Sequence, residues 1–445
     1  MKSSLLLTTA LSLLCIVVSL YPCKAQQESL GLEEVLRLAL KESHQAVLAR
    51  LTREANLVKV EREKPNGRPT LDVTGSGTTQ GSRVTFPRVN GTNAVFLPDT
   101  YARLDFTFEQ VLYRPGYAEA KHRYLAQRES VDWDYRKELY EVILAVRKAY
   151  IDWFRAGAGI QIAQDALASA ERYSALIRKQ IESGLAKPVD MLTADAQLAE
   201  VQTELRKAEN GRVLALANLN RWLNSASLAP RTLKQFSLEP TIPTSPDAAI
   251  ELALQRRPEI LSLVQNLKSS RLGISLAKLQ NHPTFSLRWQ WVRQTPTALM
   301  PENYMATTLE MRLPFWDGGR KNLDVMEAKA QTNRLEVMVE NVKQGIALEV
   351  RSAWFKLRES ADLRELSLPQ LVEAEGLERV AEAAYRVGKG TALELQEAQR
   401  KTRMARTRRT QTQYDVLTAV AEFEHSYGET TLSSYILSDL KRGKP

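Results

Sequence analysis

Phe285-Ser286-Leu287-Arg288-Trp289-Gln290-Trp291 alternates large apolar side chains with polar ones, and the polar set includes a guanidinium. A period of two places the two sets on opposite faces of a β-strand. A second stretch does the same: Leu309, Met311 and Leu313 alternate with Thr308, Glu310 and Arg312. A soluble antiparallel sheet with its polar face in water would alternate in this way too. Here the other face is rich in Trp, Phe, Leu and Met, and each strand approaches the ~10 residues that cross a bilayer, so lipid on one side and water on the other fits better. Far upstream, Leu71 and Val73 begin a strand expected to dissolve at Gly75-Ser76-Gly77, and Leu104, Phe106 and Phe108 alternate with Asp105, Thr107 and Glu109. Four strands cannot close a barrel, and open edges are not stable in lipid. Several chains are therefore expected to build one barrel together.

The two strand pairs belong to a duplicated chain. Leu32-Glu33-Glu34-Val35-Leu36-Arg37-Leu38-Ala39-Leu40 reappears 214 positions later around Asp247-Ala248-Ala249-Ile250-Glu251-Leu252-Ala253-Leu254, and Pro69-Thr70-Leu71 falls on Pro283-Thr284-Phe285. Further on the offset shortens to 203 or 204: Leu112-Tyr113-Arg114-Pro115-Gly116 falls on Phe315-Trp316-Asp317-Gly318-Gly319, and Gly184 on Gly388. An insertion of about ten residues between positions 80 and 100, containing Gly81, Pro87, Asn90-Gly91 and Pro98, reads as loop. Pro230, Pro240, Pro243 and Pro246 mark a linker between the halves.

Around the strands the period is helical. Leu139, Val142, Val146, Ala149, Trp153, Ala156 and Ile160 step by three and four, and Leu335, Val339, Val342, Ile346, Val350, Ala353 and Leu357 nearly repeat the stepping. That is coiled-coil spacing. The span from Gly116 to Ser183 lacks proline, so a helix of up to ~67 residues would run about 100 Å. One pre-strand helix over 32–63 and one return helix over 188 to about 225, laid end to end, roughly match it.

Residues 1–25 read as a secretory signal peptide: Met1-Lys2, an apolar run from Leu5 to Leu20, and Cys23-Lys24-Ala25. Lipidation at Cys23 is disfavoured because Pro22 stands where a small residue is expected. Both cysteines, Cys15 and Cys23, lie in this leader, and four scattered histidines do not form a metal-ligand pattern. No cofactor is expected. Removing the leader leaves 59 Lys and Arg, from 61, against 52 Asp and Glu. The surplus is interspersed with Glu at helical spacings, the pattern of solvated helix faces rather than a nucleic-acid surface. No nucleophile, base and orienter share a motif, so no enzyme is expected. The expected organisation is 1–25 signal peptide, 26–224 first repeat, 225–246 linker, 247–427 second repeat and 428–445 C-terminal tail.

Three further segments carry a family resemblance. They are Leu313-Pro314-Phe315-Trp316-Asp317-Gly318-Gly319-Arg320 at a strand-to-helix exit, Leu368-Pro369-Gln370 within a long helix, and Tyr385-Arg386-Val387-Gly388-Lys389-Gly390-Thr391-Ala392-Leu393-Glu394-Leu395-Gln396-Glu397 at a hairpin tip. With the duplicated strand pairs, and in this order, they resemble the TolC-like outer membrane efflux protein family from Leu32 to about Tyr427. The resemblance implies a mainly α fold with a transmembrane β part: long antiparallel coiled-coil helices, and four β-strands per chain completing a trimeric 12-stranded barrel. It implies an outer membrane channel with a periplasmic tunnel, a passive homotrimeric duct for efflux or type I secretion. The partners it implies are a periplasmic adaptor (membrane fusion) protein, an inner-membrane RND or ABC transporter and outer membrane lipid, with no nucleic acid. Two rival readings are a secreted coiled-coil scaffold or adhesin, which needs no Trp-faced strand pairs, and a channel for polysaccharide export, which would lack the tip motif.

The tips carry the candidate residues. Gly184 and Gly388 reverse the chain. Asp190 and Glu394 stand in the first turn of each return helix, where a carboxylate also complements the helix dipole. By family position Glu394 and Glu397 resemble the acidic residues that narrow the periplasmic entrance; in a trimer they would form two stacked rings, raising some of their pKa values and favouring cations. Tyr385 and Asp190 resemble a pair that latches neighbouring hairpins, although Gly390 stands where the family has arginine; Arg386 and Lys389 are the available substitutes. Adaptor docking is expected around Gly184, Lys187, Gly388, Lys389 and Thr391. Trp289, Trp291 and Trp316 read as membrane-interface anchors, and Trp153 and Trp354 as packing between helices. Asp105, Glu109, Arg288, Glu310 and Arg312 are expected to line the lumen.

Overall fold

A computed structural model describes residues 30–65, 67–87, 94–184, 187–225, 233–234, 245–297 and 300–429. The expected leader, most of the linker and the tail beyond Glu429 lie outside the described residues. The element order is α1 (Leu32–Glu42), α2 (His44–Arg62), β1 (Thr70–Thr79), β2 (Val84–Phe86), β3 (Ala94–Leu97), β4 (Thr100–Tyr113), α3 (Tyr117–Glu182) and α4 (Pro188–Trp222), followed by α5 (Asp247–Arg256), α6 (Pro258–Lys278), β5 (Thr284–Gln294), β6 (Asn303–Arg312), α7 (Arg320–Arg386) and α8 (Ala392–Ser426). The long helices hold 66 and 67 residues and each return helix 35, so both repeats share one plan. Among the described residues no helix is long and apolar enough to cross a membrane.

The structure corrects the single pre-strand helix expected over 32–63. It is two helices, broken at Ser43, whose backbone is extended (φ −64°, ψ 142°). Its Oγ accepts the N–H of Ala46 at 3.2 Å and so caps α2. The second repeat breaks at Arg257, 214 positions later, for a different reason. Arg257 precedes Pro258, whose ring pushes the preceding residue out of the helical region, and the buried Arg257 guanidinium bonds Glu259 at 2.9 Å and Glu349 at 2.5 Å.

The chain forms two compact units. The described residues of one fall within Met1–Ala46, Val142–Ile242 and Lys356–Glu422, those of the other within Val47–Glu141, Pro243–Phe355 and Phe423–Pro445. The described part of the first is predominantly helical. Val35, Leu36, Ala39 and Leu40 bury one side of α1, and the fully buried Tyr150 donates to the carbonyl of Lys234. Glu422 is clasped by Lys148 and Lys356, each at 2.7 Å. Trp153 is buried under the Arg212 guanidinium, 4.4 Å from its ring centroid.

The second unit carries the sheet, antiparallel in the order β1-β4-β5-β6. Its register pairs Phe106 with Trp291 and Phe108 with Trp289, while Thr107 pairs with Gln290 and Glu109 with Arg288. The alternation read from the sequence thus becomes one apolar and one polar face. On the polar face Arg288 bridges Glu109 at 3.3 Å and Glu310 at 3.2 Å, joining three strands. β1 and β6 are the two edges of this sheet.

Two strand readings are corrected. β1 does not dissolve at Gly75-Ser76-Gly77 but continues to Thr79, because β4 pairs with it throughout, Gly75 against Leu104 and Gly77 against Ala102. Cross-strand pairing overrides the low strand propensity of glycine. The insertion between 80 and 100 is not all loop: β2 and β3 form a separate hairpin, with Phe86 and Phe96 edge-to-face at 5.4 Å.

Candidate functional site at the hairpin tips

Each long helix ends where glycine adopts a left-handed conformation, Gly184 at φ 71° and Gly388 at φ 73°. A Cβ added at either would meet nothing within 4 Å, so glycine is required there by backbone conformation rather than by crowding. The Gly184 N–H reaches the Ile181 carbonyl at 3.0 Å, and that of Gly388 reaches Tyr385 at 3.1 Å. Gly390 is constrained differently. A Cβ there would lie 3.1 Å from the Tyr385 nitrogen and 3.2 Å from the Ala384 Cβ. An arginine at this position would need the turn to shift.

The return helices begin with reciprocal caps. Thr391 Oγ1 accepts the N–H of Glu394 at 3.2 Å, and a Glu394 carboxylate oxygen accepts the N–H of Thr391 at 2.8 Å. This is a capping box. The Thr391 N–H, and after it the Thr391 hydroxyl, hold the Glu394 carboxyl below the usual carboxylate range. In α4, Pro188 occupies the first turn and the Asp190 carboxylate accepts the Lys187 N–H at 3.0 Å. Glu397 pairs with Arg400 at 2.7 Å, and this hydrogen bond is the main reason its carboxyl also sits low. Within one chain, both expected entrance carboxylates are therefore ionised and locally engaged. Glu394 is exposed and Glu397 half-buried.

Between α3, α4, α7 and α8 the tip has its own core of Tyr173, Ile177, Ala194, Tyr385 and Leu395. The Tyr173 and Tyr385 rings lie 6.3 Å apart, and the Tyr173 hydroxyl reaches the Ala392 carbonyl at 3.5 Å. Burial, with Tyr385 and the Asp190 charge nearby, pushes the Tyr173 phenol up to about 12. Burial and Asp190 raise Tyr385 as well. The Tyr385 hydroxyl is buried and makes no hydrogen bond among the described residues. Tyr385 and Asp190 thus share one electrostatic neighbourhood without bonding to each other. Of the two substitutes for the missing arginine, Arg386 is engaged with Glu382 at 2.7 Å and Lys389 is exposed.

Tyr173, Leu395 and Arg400 are not among the gate and docking residues expected from the sequence. For the capping role of Thr391 a signal was present, since Thr-x-x-Glu before an apolar residue is a capping pattern. Tyr173 carried none, because its partner is more than 200 positions away. Of the residues expected in the lumen, Asp105, Glu109, Arg288 and Glu310 share the polar face of the sheet, with Arg103 holding Asp105 at 2.8 Å. Trp153 and Trp354 are buried, whereas Trp316 is 85% exposed.

Protein CyaE of Bordetella pertussis is 24% identical over 289 residues, covering 64% of this chain and 61% of CyaE, so the chain matches less than two thirds of that relative's length. Outer membrane efflux protein BepC of Brucella suis is 22% identical over 322 residues, 72% of this chain and 69% of BepC. The structure of the Campylobacter jejuni CmeC outer membrane channel shares the fold with a TM-score of 0.75 at 17% identity, covering 92% of this chain and 88% of CmeC. The sequence profile described as outer membrane efflux protein matches both halves, over residues 35–225 and 249–429. With two matched repeats, each pairing long helices with two strands of one sheet, the chain belongs to the outer membrane efflux protein family.

Proposed function

We propose that this chain is one subunit of a passive homotrimeric duct in the outer membrane, continued by a helical tunnel into the periplasm. The observation that carries the reading is the four-stranded sheet with one apolar face, one charged face and two open edges. Such a sheet is stable in lipid only when neighbouring copies close it. A periplasmic adaptor and an inner-membrane RND or ABC transporter would supply energy and cargo, with docking around Gly184, Lys187, Gly388, Lys389 and Thr391. In membrane fractionation the protein is expected in the outer membrane as a heat-modifiable trimer. A soluble monomer would sink the proposal.

At the closed entrance, Glu394 and Glu397 form rings of carboxylates, and Asp190 and Tyr385 help hold neighbouring tips together. The test must remove charge without removing the cap. Glutamine at position 394 still accepts the Thr391 N–H, so Glu394→Gln with Glu397→Gln is expected to weaken block by divalent cations in planar-bilayer conductance while leaving assembly intact. Unchanged cation sensitivity removes both residues from the entrance.

A further inference from the structure

In the sheet-bearing unit a cavity of about 950 Å³ opens where α2 ends, β4 ends and α3 begins. Its lining includes Arg62, Lys64, Leu112, Tyr113, Arg114 and Tyr117. We infer that this cavity binds the phosphate-bearing headgroup of an anionic phospholipid from the periplasm-facing leaflet of the outer membrane. The inference rests on the outer membrane reading proposed above.

Lys64 is engaged by Glu61 at 2.6 Å. Arg62 and Arg114 are exposed, and neither makes an ion pair among the described residues. Two carboxylates, Glu63 and Glu119, also line the cavity; Glu63 accepts a hydrogen bond from Gln127 at 3.0 Å. The helices account for only part of this arrangement. Arg62 closes α2, where a cation complements the negative helix end. Arg114 lies just before α3, where the helix end is positive and a cation is disfavoured.

The second repeat lacks both of these cations. Asp317 occupies the position equivalent to Arg114 and binds the N–H groups of Gly319 and Lys321, each at 2.9 Å. Leu276 occupies the position equivalent to Arg62. The fold therefore forms the same strand-to-helix exit without this pair of cations.

A bulge between Val111 and Tyr113 turns Tyr113 onto the apolar face, where its ring lies 6.3 Å from Phe285. Leu112 and Tyr113 are each more than half exposed. The cavity thus adjoins the end of the apolar face, combining aromatic rings with guanidinium groups that make no ion pair among the described residues, as a lipid–water boundary favours. Acyl chains would continue along the apolar face while the phosphate meets Arg62 and Arg114.

The test uses the intact protein in detergent, incubated with phosphatidylglycerol, phosphatidylcholine or inorganic phosphate and examined by native mass spectrometry. Wild type is expected to retain phosphatidylglycerol, and Arg62→Gln with Arg114→Gln to retain it about tenfold less tightly. Arg62→Lys with Arg114→Lys should keep most of the binding. Equal retention by the Gln variant and wild type overturns the site, as does equal retention of phosphatidylcholine or a preference for inorganic phosphate. If the double Gln variant fails to assemble, Arg114→Gln alone at its exposed position reads the same comparison. Fractionation of wild type separates the two readings: a protein outside the outer membrane overturns the duct, whereas a membrane trimer with unchanged lipid retention overturns only this site.

Discussion

Arg257→Ala is expected to destabilise the sheet-bearing unit by about 3 kcal/mol, the low end for breaking a buried ion pair from one side. The guanidinium fork meets both oxygens of Glu259, at 2.9 and 3.2 Å, and also reaches Glu349 and the Ser426 carbonyl. Truncation leaves Glu259, only 22% exposed, facing a second carboxylate without the guanidinium between them, the charge of Lys137 being its remaining cationic neighbour. Glu349 is 46% exposed and recovers part of its hydration, which places the cost at the low end. Lysine should rescue only partly, because one ammonium cannot reproduce the fork. The effect has a pH signature. Burial alone would raise the Glu259 carboxyl, but the Arg257 hydrogen bond and charge hold it below its ordinary 4.5. A group depressed in the folded state contributes its stability above the unfolded value and loses it as pH falls through the folded one. The gap in melting temperature between wild type and Arg257→Ala should therefore be full at neutral pH and shrink below about pH 4.5. A gap that stays constant into acid would show that packing, not the ion pair, was lost.

Phe106→Arg should cost about 2–4 kcal/mol, the penalty for a guanidinium on the lipid side near the middle of a membrane strand. The change also removes a tilted ring pair with Trp291 at 5.2 Å, a loss of about another 1 kcal/mol. Its neighbour provides the control. Thr107 points to the opposite face and pairs with Asp72 and Gln290. Thr107→Arg should assemble normally. The readout is the amount of heat-modifiable trimer in outer membranes. Equal loss from both variants would show that the two faces do not meet different solvents.

The periodic parts of the chain were legible in its sequence. Strand alternation depends on nearest neighbours, and the heptad stepping of the long helices on residues within two turns, so both signals are local. The expected helix from Gly116 to Ser183 and the observed Tyr117–Glu182 differ by a residue at each end. Features set by one residue or by distant partners were not legible. Ser43 breaks a helix through one hydroxyl, and β1 survives its glycines because β4 lies beside it. At the tips, glycine positions are readable because reversal demands φ above zero. Tyr173 against Tyr385 is a contact between helices far apart in sequence, and the Glu397 pairing depended on which of several nearby cations it would select.

The strand order has a consequence for inheritance. Because an even number of antiparallel strands separates the two edges, in the proposed ring β6 of one copy would meet β1 of the next in the antiparallel sense, and every seam would use one edge of each kind. A chain with a blocked β6 edge but an intact β1 can still join a wild-type neighbour, then stops the ring from closing. Such an allele acts dominantly: when the two chain types are mixed equally, only about one trimer in eight is free of it, given random assembly of three copies.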